Sequence, residues 1–234
     1  MPRLLALSGS LRARSSNGAV LRSALDLFDG PTATADIGAL PHFNPDLDGE
    51  DATPPAPVAA LRTAVAAADA LLIVSPEYAH GVPGVLKNAL DWLVSSGECV
   101  DKPVAVLTAS PFPTGGDHAN AQLREILRMM TGNVIADACR EIPAIGPKID
   151  PATERVTDAP TLADLRTAMS HLATATTEAM PTTEAQSTAE AQSTAGPSST
   201  AEPTATAGTT PTTAAPPAAD AARPTTAPDT AVTP

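Results

Sequence analysis

The sequence predicts a doubly wound α/β domain, a parallel sheet with helices on both faces, followed by a tail that does not fold. Three observations carry that reading. Short, wholly apolar runs recur in the N-terminal two-thirds of the chain, separated by segments of helical periodicity. These runs do not alternate with polar residues, which marks strands buried on both faces rather than strands with one wet face. From residue 176 onward the composition shifts to Ala, Thr and Pro, with no aromatic side chain and a single arginine.

The elements follow in order. Arg3–Ser8 (RLLALS) is a buried strand stopped by Ser-Gly-Ser. Asn17–Asp29 places Val20, Leu21, Ala24, Leu25 and Phe28 at helical spacing. A weak strand is expected near Thr34–Ile37, then a Pro-rich loop over Pro41–Pro57. Val58–Ala68 is an Ala-rich helix, and Ala70–Ser75 (ALLIVS) a further buried strand. Pro83–Ser96 reads as a helix with Pro83 in its first turn. Pro103–Thr108 (PVAVLT) is an apolar strand and Asp117–Met130 an amphipathic helix. Asn133–Cys139 makes a last strand, and Thr161–Ala173 a closing helix. Five strands alternating with helices through right-handed crossovers give the doubly wound sheet. Ligands bind such sheets beyond the carboxyl ends of the strands, so the loops after the first, third and fourth strands are the places to look.

Composition excludes several classes. The 234 residues carry 14 Lys+Arg against 26 Asp+Glu, a net charge of −12. With no basic stripe, the chain is not expected to bind nucleic acid. The first apolar run is broken by Arg12 and Arg14, which does not suit a signal peptide, and no run reaches the ~18–20 residues of a membrane span. Cys99 and Cys139 form no metal spacing and no disulfide framework. The expectation is a cytoplasmic protein without a metal site. A folded domain is expected over 1–175 and a disordered tail over 176–234, because so little bulky apolar material cannot offset the entropy of ordering. The tail includes a tandem EAQSTA repeat, Glu184–Ala189 and Glu190–Ala195.

The loop Ser8–Gly18 joins a strand to a helix N-terminus and carries Ser10, Arg12, Ser15, Ser16 and Asn17. Hydroxyls, main-chain N–H groups and a guanidinium suit a phosphate monoester, although a Ser-rich helix cap with solvated arginines reads equally well from spacing alone. It is neither G-x-G-x-x-G nor a Walker loop. The loop from Pro76 through Glu77, Tyr78, Ala79 and His80 to Gly81 can present main-chain groups to a flat ring, whereas Leu86 and Trp92 on the following helix read as core. In Ala109–Gly116, Ser110 with the paired Gly115 and Gly116 permits close backbone approach or a tight turn.

Together these segments resemble the NADPH-dependent FMN reductase family of the flavodoxin-like fold. The G-S-L-R-x-x-S-x-N motif stands as Gly9-Ser10-Leu11-Arg12 with Ser15 and Asn17, the P-E-Y motif runs from Pro76 through Trp92, and S-x(4)-G-G stands as Ser110 with Gly115 and Gly116. The resemblance covers residues 1–173 and implies a five-stranded sheet of order 2-1-3-4-5. It implies non-covalent FMN, with its phosphate on Ser10, Arg12, Ser15, Ser16 and Asn17. The ring then meets Pro76, Glu77, Tyr78, Ala79 and His80, and Ser110, Gly115 and Gly116 close the third side. The family commonly has Asn where this chain has Ala79, so a side-chain bond to the ring would be lost here.

The activity so implied is electron transfer from NADPH or NADH through FMN to a small-molecule acceptor (a quinone, azo compound, metal oxyanion or free flavin) with ping-pong kinetics. No protein acid or base is required. Family members form homodimers or homotetramers, and Leu90, Leu93 and Val94 are candidates for such an interface. Two alternatives compete: a non-enzymatic flavodoxin-like electron carrier, and a ligand-free interaction protein. Dedicated carriers usually have a T-x-[ST]-x-x-T phosphate loop, which this chain lacks.

Overall fold

The computed structural model describes residues 1–49 and 51–180. In chain order the elements are β1 (Leu4–Ser8), α1 (Ser16–Leu25), β2 (Thr32–Ala35), α2 (Ala56–Ala66), β3 (Ala70–Ser75) and α3 (Gly84–Asp91). They continue with β4 (Pro103–Ala109), α4 (Asp117–Met129), β5 (Asn133–Val134), β6 (Arg140–Ile142), β7 (Ile149–Asp150), β8 (Arg155–Val156) and α5 (Ala159–Ala179). The main sheet has the parallel order β2-β1-β3-β4-β5, with β6 also paired to β4. This is the flavodoxin-like order expected from the sequence.

Strand periodicity sorts the core into two layers, because successive side chains point to opposite faces. On one face Leu4, Ala6, Leu72, Val74 and Leu107 pack with Val20 and Ala24 of α1 and with Leu165, Met169 and Leu172 of α5. On the other, Leu5, Leu7, Leu71, Ile73 and Val106 pack with Leu61 and Val65 of α2, Leu86 and Leu90 of α3, and Leu123 and Leu127 of α4. The central strands β3 and β4 are buried along their whole lengths. Their wholly apolar sequences are the consequence of that position.

The departures from expectation lie at the edges. Asn133–Cys139 is not one strand: β5 ends at Val134, a single 3-10 turn spans Ala136–Ala138, and the extended backbone resumes as β6. β5 pairs with the start of β4 (Pro103 opposite Asn133) and β6 with its end (Leu107 opposite Arg140). An outer strand with Asp137 in its middle has only one neighbour to hold it extended. β2 lies two residues earlier than expected, and Ile37, now beyond it, is buried. The regular part of α3 stops at Asp91 rather than Ser96. There the Trp92 carbonyl accepts from Arg62 Nε and Nη2 at 3.0 and 2.7 Å.

Trp92 and Leu86 are core residues, as their spacing indicated. The Trp92 indole N–H donates to the Pro41 carbonyl at 2.9 Å and Phe43 meets the ring edge-on at 5.1 Å. Leu90 and Leu93, offered as interface residues, are buried within the chain, and only Val94 of the three is exposed. The antiparallel β7–β8 hairpin was not anticipated. α5 is longer than expected: Asp158 caps it through the Thr161 N–H at 3.0 Å, and its last residue, Ala179, lies past the boundary drawn at 175. The EAQSTA repeat lies outside the described residues. No helix among the described residues is long and apolar enough to cross a membrane.

Candidate functional site

The loops after β1, β3 and β4 converge on a cleft of about 420 Å³ at the carboxyl edge of the sheet. Nine of the residues proposed from sequence line it: Ser10, Arg12, Ser15, Ser16, Asn17, Pro76, Glu77, Tyr78 and Ser110. Ala79, His80, Gly115 and Gly116 do not. Ala109, Pro111, Phe112, Ile145 and Gly146 complete the lining. Ile145 and Gly146 come from the chain after β6, beyond the last strand that the sequence pattern predicts. Phe112, an aromatic residue held between two prolines at the end of a strand, was the one available signal for the remainder.

The loop after β1 is pressed against the end of β3. The Gly9 N–H donates to the Val74 carbonyl at 2.8 Å, and a Cβ at Gly9 would lie 2.4 Å from Ser75 Oγ. Only glycine allows that approach. Ser15 caps α1, its hydroxyl accepting from the Gly18 N–H at 3.3 Å. The N–H groups of Ser16 and Asn17, in the same first turn, have no acceptor among the described residues. The ion pairs engage Arg14, Arg22, Arg62, Lys87, Arg128 and Arg155, so the Arg12 guanidinium at the cleft is without a carboxylate partner among the described residues. Two open amides, a helix N-terminus, hydroxyls and a guanidinium are what a phosphate dianion requires.

The Asn17 side chain is engaged within the protein. Its side-chain amide is spent on Ala109, donating to the carbonyl at 2.9 Å and accepting from the N–H at 3.1 Å. Only its main-chain N–H faces the anion site. Arg14 and Arg22 are drawn the other way, onto Glu154 of the β7–β8 hairpin; Arg22 Nη2 lies 2.8 Å from its carboxylate.

The loop after β3 is a two-residue hairpin turn. Tyr78 and Gly81 exchange N–H···O bonds at 3.1 and 3.0 Å, and Ala79 and His80 between them have φ of 50° and 56°. Two positive φ values define a type I′ turn, whose first position favours asparagine. The position therefore makes a backbone demand that alanine meets poorly. α4 holds this turn from behind. Glu77 Oε2 accepts the Ala119 N–H at 2.9 Å, Gln122 Nε2 donates to the His80 carbonyl at 3.0 Å, and the His80 ring meets His118 edge-on at 4.7 Å. The Glu77 carboxylate is thus a helix cap, and it faces His80 Nδ1 at 3.4 Å rather than standing free for a ring.

Gly115 and Gly116 have φ of 68° and 88°, and a Cβ at Gly115 would lie 2.8 Å from the backbone of Glu141 and Ile142. They seat the loop after β4 on β6. Ser110 is buried in that loop, its hydroxyl accepting the Phe112 N–H at 3.2 Å. The arrangement provides an anion cradle at one part of the cleft and a framework of main-chain groups with two aromatic side chains, Tyr78 and Phe112, at another.

Comparison with known proteins shows the family. A quinone reductase of Escherichia coli (strain K12) is 35% identical over 165 residues, covering 68% of this chain and 87% of the relative. An NAD(P)H-dependent FMN reductase of Pseudomonas aeruginosa is 40% identical over 129 residues, covering 53% of this chain and 69% of the relative. Among solved structures, the flavoenzyme NAD(P)H:(acceptor) oxidoreductase FerB of Paracoccus denitrificans superposes with a TM-score of 0.67 at 27% identity, covering 76% of this chain and 98% of that one. The profile of the NADPH-dependent FMN reductases matches residues 2–143, and this chain belongs to that family.

Proposed function

We propose that the chain carries FMN in this cleft and uses NADPH or NADH to reduce quinones. The observation that supports this most is the Arg12 guanidinium, without a carboxylate partner among the described residues, lining the same cleft as the open N–H groups of Ser16 and Asn17, in which the other loops carry a rigid turn and an exposed aromatic residue. The residues fit the group. Ser10, Arg12, Ser15, Ser16 and the Asn17 N–H hold the phosphate. Pro76, Tyr78 and Ser110, with the main chain of Glu77, would hold the ring. Ala79, His80, Gly115 and Gly116 act by fixing the shape of the loops. The cleft, at about 420 Å³, falls in the range of cofactor sites.

When bound, FMN supplies the two-electron chemistry that the side chains lack. The protein binds and orients. The Arg12 charge and the α1 terminus fix one end, and the turn held by Glu77 and Gln122 keeps the ring edge from shifting. No side chain need donate or accept a proton in the overall reaction, NAD(P)H + quinone + H⁺ → NAD(P)⁺ + hydroquinone. Both substrates use the same cleft in turn, which gives ping-pong kinetics. Azo compounds, metal oxyanions and free flavin are further candidate acceptors. Residues 1–180, through the end of α5, carry the activity in this reading, in the cytoplasm and as a homodimer or homotetramer, and 181–234 are dispensable for it.

Initial rates with varied NADPH and quinone test the reading. Parallel double-reciprocal lines are expected, and truncation after residue 180 should leave them unchanged. Protein that retains FMN yet oxidises neither NADPH nor NADH is an electron carrier instead.

A further inference from the structure

We propose that Phe112 is a specificity residue of this cleft, forming with Tyr78 an aromatic clamp that selects flat, fused-ring acceptors. The inference rests on the reductase reading and deepens it by naming what the acceptor's rings meet.

The five aromatic side chains are segregated. Phe28 and Trp92 are buried, and Phe43 packs edge-on against Trp92. The other two, Tyr78 and Phe112, are 56% and 68% exposed, and both line the cleft. An isolated exposed aromatic residue needs no explanation, but two of two at one concave site do.

Both stand on fixed backbone. The Phe112 N–H donates to Ser110 Oγ at 3.2 Å, and its carbonyl accepts from Gly115 and Ala144 at 3.3 and 3.2 Å. Pro111 and Pro113 flank it and restrict φ on either side. Tyr78 is held by its reciprocal bonds to Gly81. The two loops leave the sheet side by side, since Ser75 and Thr108 are register partners on adjacent strands, about 4.8 Å apart. Side chains of that size on such neighbours can reach a common planar ligand, with little conformational freedom left to lose when it binds.

Charge favours the same ligand class. Among the described residues Arg12 is the one cationic side chain lining the cleft, and in the reductase reading the phosphate claims it. An oxyanion acceptor would meet no second cation there, whereas a fused-ring quinone would gain two aromatic faces.

The test uses the full chain loaded with FMN, with NADPH as donor and two acceptors. One is 2-methyl-1,4-naphthoquinone, reduced as NADPH + quinone + H⁺ → NADP⁺ + hydroquinone. The other is ferricyanide, which has no aromatic ring: NADPH + 2 ferricyanide → NADP⁺ + 2 ferrocyanide + H⁺. In Phe112→Ala the ratio of kcat/KM for the naphthoquinone to that for ferricyanide should fall about three- to tenfold, the worth of one aromatic contact, mostly through KM. Phe112→Tyr should restore it. An unchanged ratio in Phe112→Ala overturns the proposal, as does a fall that Phe112→Tyr does not reverse. Loss of FMN from Phe112→Ala on desalting also overturns it, because the side chain would then belong to the cofactor's site. Failure of the wild-type chain to oxidise either NADPH or NADH even with free FMN supplied brings down the reductase reading and this proposal with it, and is recognised because the wild type itself is inactive.

Discussion

The side-chain amide of Asn17 grips the main chain of Ala109 at both polar atoms, at 2.9 and 3.1 Å, and so fastens the first turn of α1 to the end of β4. Two walls of the cleft are joined by one buried residue. Asn17→Ala leaves an N–H and a carbonyl unpaired in the interior and should cost about 2–4 kcal/mol. A urea titration should show a lower midpoint at unchanged slope. Asn17→Asp keeps the acceptor for the Ala109 N–H but sets a carboxylate oxygen against the Ala109 carbonyl, and at neutral pH should cost at least as much.

Arg12 is read as a partner of a phosphate rather than of a ring. Arg12→Ala should weaken FMN about ten- to a hundredfold, the worth of a charge-assisted bond, and leave riboflavin binding unchanged. Fluorescence titrations with the two flavins check this. An equal loss for both would place the guanidinium elsewhere.

Ala79 occupies the first central position of the I′ turn with φ of 50°. Ala79→Asn should stabilise the chain by about 1 kcal/mol, because asparagine tolerates this region and alanine does not. Thermal unfolding should shift upward, and the rate of flavin reduction by NADPH should stay the same. A changed rate would mean that the residue at 79 acts on the ring directly.

Burial, aided by the nearby charge of Glu98, pushes the Cys99 thiol up from its ordinary value of 9.0 to about 11. The folded state therefore keeps its proton over a range in which the unfolded chain has lost it. That contribution to stability is intact below pH 9 and is lost as the pH rises from about 9 to 11. Burial raises Cys139 as well. Ellman's reagent at pH 8 should label neither cysteine in the native chain and both in urea.

The legible parts of this fold are those buried on both sides. β1, β3 and β4 are continuous apolar runs because helices cover each face, and no other element type explains ALLIVS at that length. The interrupted strand at β5 and β6 was not legible, since an edge is held by one neighbour and its sequence is under weaker constraint. β7 and β8, at two residues each, are too short to show a period. At the site, the sequence pattern points to the loops that line the cleft but not to the direction of every side chain. Nothing in the string tells that Asn17 reads Ala109, that Glu77 caps α4, or that Gly115 is required by the backbone of Glu141.

The central claim is that this cleft holds FMN where NADPH or NADH can reduce it. The most direct measurement is the absorption spectrum of the full chain after incubation with FMN and desalting, repeated anaerobically with NADPH and with NADH. A flavin spectrum that survives desalting and bleaches with at least one of the two is expected. A chain that emerges colourless, and that fails to oxidise either nucleotide when free FMN is supplied, would contradict it.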